Sequence, residues 1–465
     1  MSDPVTLRPY QQHAITAWAH NGYKGLFEMA TGTGKTLTAL SCAKSLQEKE
    51  GHIHLLILVP TLSLADQWMA ETKQVLTKNV ILANSSNLNW YSEALTAVGP
   101  GIYKRSYCII TTYVSFITQK FGHILQKMPP DTFLIADEVH NFGTESQVAS
   151  YPDRIQRRLG LSATPNRYFD EQGSRQIFRY FGAESGPTFQ FSMEEAIKEE
   201  YLCEYFYYPV VIALTEEELS EYKAISRKLF RYFNKETGAF KEDAVVTSLL
   251  LKRKKIIHKA SGKFAAFRAI LKELVAKNPS LHHVLVYVPE GNSKKTEKDD
   301  QRLIDAYSKI ISHDFQLIQH QFIGGTPNRE RILQEFAKGK IQVLTAMKCL
   351  DEGIDIKQAE IAIFCSSTGS PRQFIQRRGR ILRTYPGKKS AVIYDLVVLP
   401  TLTNQYFGDN LQMEKSILQS ELRRVQEFAG LAVNHYQALE SLEEAARIFD
   451  LDIYSKGLTY YNGEY

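Results

Sequence analysis

The chain of 465 residues has few cysteines. The five present, Cys42, Cys108, Cys203, Cys349 and Cys365, show no C-x-x-C or Cys/His ligand spacing. That argues against a disulfide framework or a zinc site and suits reduced core thiols of a cytosolic protein. Long apolar runs are absent as well: the longest, Leu55 to Pro60, falls far short of the roughly 20 residues that span a bilayer. The N-terminal MSDPVTLRPYQQ holds no apolar signal core. The expectation is a soluble, cytoplasmic protein. Charge of one sign is also scarce. The formal net charge is +5 and the pI near 8.7, and nucleic-acid-binding domains announced by charge usually lie above about 9. No motif repeats internally. What is present is a composition 44% apolar and 23% charged, sufficient for a large core, in a length that suits about three domains or two plus appendages.

Short apolar, β-branched runs recur between helical stretches: HLLILV (54–59), YCIIT (107–111), TFLIA (132–136), HVLVYV (283–288), IQVLTA (341–346), EIAIFC (360–365) and SAVIYDL (390–396). Continuous runs without alternation suit strands buried on both faces, as in parallel sheets with helices on either side. The strands form two groups separated by a helical stretch at 214–278. The fold class is α/β: two tandem units of parallel sheet flanked by helices, 1–205 and 206–400, followed by a short helical tail, 401–465. The charged segment 290–300 reads as a solvated loop. In the tail, Leu422, Val425, Phe428 and Leu431 are spaced to dock on the second unit or to hold a partner.

The most informative stretch is GLFEMATGTGKT (25–36). An apolar piece runs into Thr31, Gly32, Thr33, Gly34, Lys35 and Thr36, and a helical pattern follows. Glycines let a backbone wrap a polyphosphate, and a helix N-terminus aims N–H groups and a positive dipole at the anion. Lys35 would reach the β- and γ-phosphates of ATP, and Thr36 would ligate Mg2+. Met29 occupies the first position of the strict G-x-x-x-x-G-K-[ST] pattern, so a Gly-rich turn before a helix stays open as an alternative.

FLIADEVH (133–140) places Asp137 and Glu138 after a buried strand, and open α/β sheets bind ligands at the carboxyl ends of strands. Adjacent buried acids are costly unless a cation compensates them. Asp137 would hold Mg2+ through its water shell, and Glu138 would orient and deprotonate the attacking water. A surface Asp–Glu pair is the alternative, weakened by GTGKT about 100 residues earlier. In SPRQFIQRRGRILR (370–383), Arg380 and Arg383 are three apart, so one helix face can present both to a transferring phosphoryl group. A solvated basic helix or a nucleic-acid patch would show the same spacing.

Thr61, Thr111, Thr112 and Thr345 follow expected strands and are candidate contacts to nucleic-acid phosphates, or else helix caps. Lysine and arginine concentrate at 154–158, 251–263 and 371–389, which together would form an electrostatic track.

In this order the pieces resemble superfamily 2 helicases and translocases over roughly residues 5–400. LRPYQQHAITAW (7–18) resembles the adenine-recognition motif, with Arg8 and Gln11 as base contacts. MATGTGKT resembles motif I, VPTLSLADQW (59–68) motif Ia, IITTYVSF (109–116) motif Ib, DEVH motif II and LSATP (161–165) motif III. VLVYVPEG (284–291), VLTAMKCLDEGIDI (343–356) and QRRGRILR (376–383) resemble motifs IV, V and VI. LDEGIDI, RQFIQRRGRILR and the LRPYQ start are most similar to the XPB-like branch and to motor subunits of restriction enzymes, and DEVH points away from DEAD-box RNA helicases.

The resemblance implies two RecA-like domains that bind ATP and Mg2+ and track along nucleic acid. It implies that Gly34, Lys35 and Thr36 bind phosphates and Mg2+, that Asp137 and Glu138 serve hydrolysis, and that His140, Ser162 and Thr164 couple the two sites. It further implies Gly353 and Asp355 near the nucleotide, and Gln376, Arg380 and Arg383 at the γ-phosphate. The function expected is an ATP-dependent DNA helicase or translocase, serving repair or restriction-type defence with a partner protein such as a nuclease. An RNA helicase and an ATP-gated clamp without net movement are the rivals. Because the motifs begin at residue 7, the expectation is a bare motor without an N-terminal recognition or nuclease domain.

Overall fold

The apolar runs become strands of two separate, all-parallel sheets, one in each of two units, Met1–Leu202 and Cys203–Tyr465. The computed structural model describes residues 6–99, 105–167, 170–234, 239–240, 243–289, 297–324, 326–347, 356–366, 371–399, 422–448 and 452–454.

The first sheet comprises β1 (Lys24–Met29), β2 (His54–Val59), β3 (Val80–Ala83), β4 (Tyr107–Thr112), β5 (Phe133–Asp137), β6 (Arg157–Ser162) and β7 (Phe189–Phe191), ordered β3-β4-β2-β5-β6-β1-β7. Every residue of β2, β4 and β5 is buried, which is why these strands read as unbroken apolar runs. Register sets up the site. Asp137 at the end of β5 lies opposite Leu161 of β6, and Ser162 lies opposite Glu28 of β1. The carboxyl ends of three adjacent strands therefore carry the loop 30–34, LSATP and DEVH.

The second unit holds β8 (Glu204–Ala213), a two-stranded hairpin of β9 (Phe233–Asn234) and β10 (Ala239–Phe240), then β11 (Val284–Tyr287), β12 (Gln319–Phe322), β13 (Val343–Ala346), β14 (Ile361–Phe364) and β15 (Ser390–Leu399). Its main sheet runs β12-β13-β11-β14-β15-β8. The stretch 214–278 forms helices Glu216–Phe230, Ala244–Lys259 and Gly262–Lys277, interrupted by the hairpin. Thr215 and Glu218 close a capping box at the first of these. The charged segment read as a loop ends differently: its last four residues, 297–300, open helix Glu297–Lys309.

Residues 422–429 are helical, and Leu422, Val425 and Phe428 are fully buried, while Leu431 is only half-buried. Tyr205 donates its hydroxyl to the Phe428 carbonyl, and the Val433 N–H donates to the Tyr205 carbonyl at 2.9 Å. Asn434 brackets Tyr207, accepting from its N–H and donating to its carbonyl, both at 2.9 Å. This segment covers β8 and β15 within the second unit.

Candidate functional site

Helix Lys35–Glu50 leaves β1 through a turn made by Gly32 and Gly34, with φ of 92° and 85°. At Gly34 the left-handed φ favours glycine, and a Cβ would also sit 2.9 Å from Gln11 Nε2 and push that side chain aside. Gln11 is buried and anchors the N-terminal helix Pro9–His20 to this turn. Its Nε2 donates to Thr38 Oγ1 at 3.2 Å and to the Gly34 carbonyl at 3.5 Å, while its Oε1 accepts from the Arg8 N–H at 3.0 Å. Arg8 lies over the Tyr201 ring, 4.4 Å from the centroid, and donates to the Tyr10 hydroxyl. Tyr10 in turn donates to the Thr33 carbonyl, and the Thr33 hydroxyl to the Ala30 carbonyl at 2.7 Å. Lys35 Nζ donates to the Met29 carbonyl at 3.2 Å. Thr36 follows as the second residue of the helix. Thr31 is buried with no partner for its hydroxyl among the described residues, as fits a loop that a polar ligand completes.

Asp137 is 5% exposed. Its Oδ2 accepts from Trp68 Nε1 at 2.8 Å and its Oδ1 from the Glu138 N–H at 2.9 Å. Burial raises its pKa above the ordinary carboxylate range, against the pull of the Trp68 hydrogen bond and the Lys35 charge. A divalent cation fits a carboxylate whose charge is compensated only in part. The Tyr113 hydroxyl fixes the backbone here, donating to the Asp137 carbonyl at 2.7 Å.

Glu138 adopts φ +47°, costly for a residue with a side chain, and turns the chain from β5 into a short 3-10 helix, Val139–Phe142. Its Oε2 comes within 3.5 Å of His140 Nδ1, which also lies 3.0 Å from Ser162 Oγ. Asn141 donates to His140 Nε2 at 3.1 Å, which places the imidazole proton on Nδ1, facing Glu138 and Ser162. Ser162 Oγ accepts from the Thr164 N–H at 3.1 Å, and Arg167 donates to the His140 carbonyl at 2.6 Å. Glu138, His140, Ser162 and Thr164 thus form one connected chain of polar groups. Tyr10, Trp68, Tyr113, Asn141 and Arg167 were invisible as site residues in the sequence; only the rarity of tryptophan, three in the chain, singles out Trp68.

In the second unit, Gln376 and Arg380 lie buried on helix Pro371–Ile381. Arg383 lies two residues beyond its end, in a last turn that the Leu382 and Arg383 N–H groups close onto the Arg378 and Arg380 carbonyls at 3.0 and 3.5 Å. The two arginines between Gln376 and Arg380 are internal. Arg377 donates to Ser366 Oγ at 3.1 Å over the Tyr287 ring, and Arg378 donates to the Glu427 carbonyl at 2.8 Å over the Phe428 ring. Gly353 and Asp355 lie outside the described residues.

The threonines divide. Thr61 and Thr112 cap helices Leu62–Val75 and Tyr113–Phe116, accepting from Leu64 and Ser115 N–H groups at the ends of β2 and β4. Thr111 and Thr345 lie inside β4 and β13 and are fully buried; Thr111 donates to the Ala83 carbonyl at 2.7 Å, which corrects the expectation of a phosphate contact there, whereas the Thr345 hydroxyl has no partner among the described residues. Of the arginines in the basic stretch 154–158 only Arg154 is fully exposed, and Arg158 is buried. Arg154 donates to the Leu125 carbonyl, Arg157 grips the Glu50 carboxylate, and buried Arg158 donates to the Ile155, Tyr180 and Asp153 carbonyls. In 251–263, Arg253 and Lys263 are buried, whereas Lys252, Lys255 and Lys259 are exposed or half-exposed.

Residues 4–167 match the model of the Type III restriction enzyme, res subunit, and residues 265–385 that of the helicase conserved C-terminal domain. The DNA 3'-5' translocase XPB2 of Sulfurisphaera tokodaii is 27% identical over 406 residues, covering 86% of this chain and 83% of that protein. The DNA 3'-5' helicase XPB of Kineococcus radiotolerans is 25% identical over 419 residues, covering 87% of this chain and 62% of that protein. Two solved structures share the fold. The ATP-dependent Type ISP restriction-modification enzyme LlaBIII bound to DNA gives a TM-score of 0.60 at 18% identity, over 92% of this chain and 31% of that one. The Hef helicase domain of Pyrococcus furiosus gives 0.53 at 16% identity, over 87% of this chain and 98% of that one. Both sheets are thus those of RecA-like units. No helix among the described residues is long and apolar enough to cross a membrane. With the motifs in order, the two family models and the XPB-like relatives agreeing, this chain belongs to the superfamily 2 helicases, in the branch of XPB-like proteins and restriction-enzyme motor subunits, and is an ATP hydrolase.

Proposed function

We propose that the chain is an ATP-driven DNA helicase or translocase of the cytoplasm, working with a partner protein in DNA repair or in defence against foreign DNA. The observation that carries the reading is the meeting of Lys35, Asp137 and Glu138 at neighbouring strand ends, with the buried Asp137 carboxylate short of compensating charge. Backbone N–H groups of residues 31–36 cradle the phosphates, and Lys35 leaves the Met29 carbonyl to reach the β- and γ-phosphates. Arg8 and Gln11 contact the base. Mg2+, held by Thr36 and by Asp137, supplies charge neutralisation at the phosphates when bound. Glu138 orients the attacking water and accepts its proton. His140, joined to both Glu138 and Ser162, relays the state of that carboxylate to Thr164 and the loop after β6. Gln376, Arg380 and Arg383 stabilise charge on the transferring phosphoryl group, and Gly353 and Asp355 serve the nucleotide from the same unit.

Thr61 and Thr112 contact the DNA backbone, whose phosphates carry no sequence information, as a motor requires. DNA is favoured by the XPB2 and XPB relatives, whose names specify DNA. Triplex displacement tests movement. A translocase removes the third strand only with hydrolysable ATP, and a clamp without net movement leaves it in place.

A further inference from the structure

The unit Met1–Leu202 carries a second cluster of ligand-type side chains, at the amino ends of β2 and β5, the opposite strand ends from Asp137. His52 precedes β2, His54 opens it and Asp131 precedes β5. His52 Nε2 lies 3.4 Å from Asp131 Oδ2, and His54 Nδ1 lies 3.2 Å from Asp131 Oδ1. The three ligand atoms all fall within 4.8 Å of one another.

The hydrogen bonds fix what these atoms offer. His52 Nδ1 is 3.1 Å from the Glu50 carbonyl, which can only accept. Nδ1 therefore carries the proton, and in the neutral ring Nε2 is a lone pair. That lone pair faces a carboxylate oxygen, also an acceptor, so the two are held together either by a second proton on the His52 ring or by a metal cation shared between the two atoms. An N–H donated to a carbonyl is also how a metal-ligating imidazole is usually oriented. The surrounding frame is pre-formed. Arg157 holds the Glu50 carboxylate with contacts of 2.9 and 2.5 Å and donates to the Asp131 carbonyl at 3.3 Å, tying together the two loops that carry the ligands. His54 is buried, its ring stacked on Tyr107 with centroids 4.8 Å apart. The two short separations run to different oxygens of Asp131, and the three ligand atoms stay within 4.8 Å of one another, a set that small side-chain rotations close onto one ion with bonds of roughly 2.0–2.1 Å.

We propose that His52, His54 and Asp131 bind a divalent first-row transition ion, Zn2+ by donor set, at a site separate from the nucleotide site, and that the ion staples the start of β2 to the start of β5. Two imidazoles and a carboxylate suit Zn2+, whereas Mg2+ prefers oxygen ligands throughout. His52 and Asp131 keep 21% and 37% side-chain exposure, so an ion can enter and retain a water. The site contains no cysteine, which is why cysteine spacing could not reveal it.

The test uses the full chain, stripped with a chelator, re-exposed to Zn2+ or Mg2+ and freed of excess metal. Wild type is expected to keep one more Zn2+ per chain than His52→Ala or Asp131→Asn, with affinity falling at least about tenfold in either variant. Zn2+, and not Mg2+, is expected to raise the thermal midpoint of wild type alone. Equal zinc content and equal midpoint response in wild type and variants would overturn the proposal. Should a variant misfold, Co2+-loaded wild type decides: tetrahedral visible bands without thiolate charge transfer support the site, and their absence overturns it. Cys42, Cys108, Cys203 and Cys365 are buried, and a Cys349→Ser background removes the fifth thiol from the readout.

Discussion

Asp137 and Glu138 are neighbours in sequence and opposites in environment. Asp137 is sunk behind Trp68 with a raised pKa; Glu138 is held at φ +47° with its carboxylate near His140. Glu138→Gln is expected to retain ATP binding, measured with a fluorescent analogue, while kcat falls about 10²–10⁴-fold, the usual worth of a positioned general base. Trp68→Phe leaves the buried carboxylate short of one donor and should lower stability by about 1.5–3 kcal/mol, read by thermal denaturation. An unchanged midpoint would mean that the indole bond contributes nothing. The pH dependence has a definite sign. A carboxyl whose folded pKa lies above its usual 3.8 contributes stability that is fully present below 3.8 and is lost as pH rises through the folded value. Nucleotide-free wild type should therefore lose thermal midpoint relative to Asp137→Asn as pH climbs from about 4. Parallel profiles for the two proteins would contradict this.

At the scale of elements, strands buried on both faces were legible and edge strands were not. HLLILV and TFLIA announce β2 and β5 because nothing polar interrupts them. β12 (QHQF) hides at a sheet edge, where side chains are half in water. β6 (RRLGLS) hides because two arginines open it, and their charge is met by Glu50 and by backbone carbonyls that only the fold supplies. β8 contains Pro209, which an edge strand tolerates. The same principle governs the site. GTGKT and DEVH are contiguous and could be read directly. Trp68, Tyr10 and the His52–His54–Asp131 cluster are brought together by sheet order, and no local spacing encodes that. Helix 422–429 docks through Arg424, whose guanidinium lies 3.0 Å from fully buried Asp395, which also accepts from the Tyr207 hydroxyl at 2.8 Å. Arg424→Met should lower the thermal midpoint by the equivalent of about 3–5 kcal/mol, because it strands a buried carboxylate. A shift below about 1 kcal/mol would mean that the helix is not held by this pair.

For the whole molecule, the net charge of +5 conceals where the charges sit. Arg158, Arg253, Lys263, Arg377, Arg378 and Arg380 are buried. Lys252, Lys255 and Lys259 reach solvent along one stretch of helix Ala244–Lys259. If they face DNA, replacing all three with alanine should flatten the dependence of log K on log salt by about 0.7–0.9 for each phosphate that a lysine had neutralised. An unchanged slope would remove this helix from the interface. Hydrolysis at the Lys35–Asp137–Glu138 centre should be driven by DNA. Steady-state ATPase with duplex DNA, single-stranded DNA and RNA side by side tests it directly. The prediction is strong stimulation by DNA, little by RNA, and none of it surviving in Glu138→Gln. A rate indifferent to DNA, or a Glu138→Gln variant turning over like wild type, would contradict that claim.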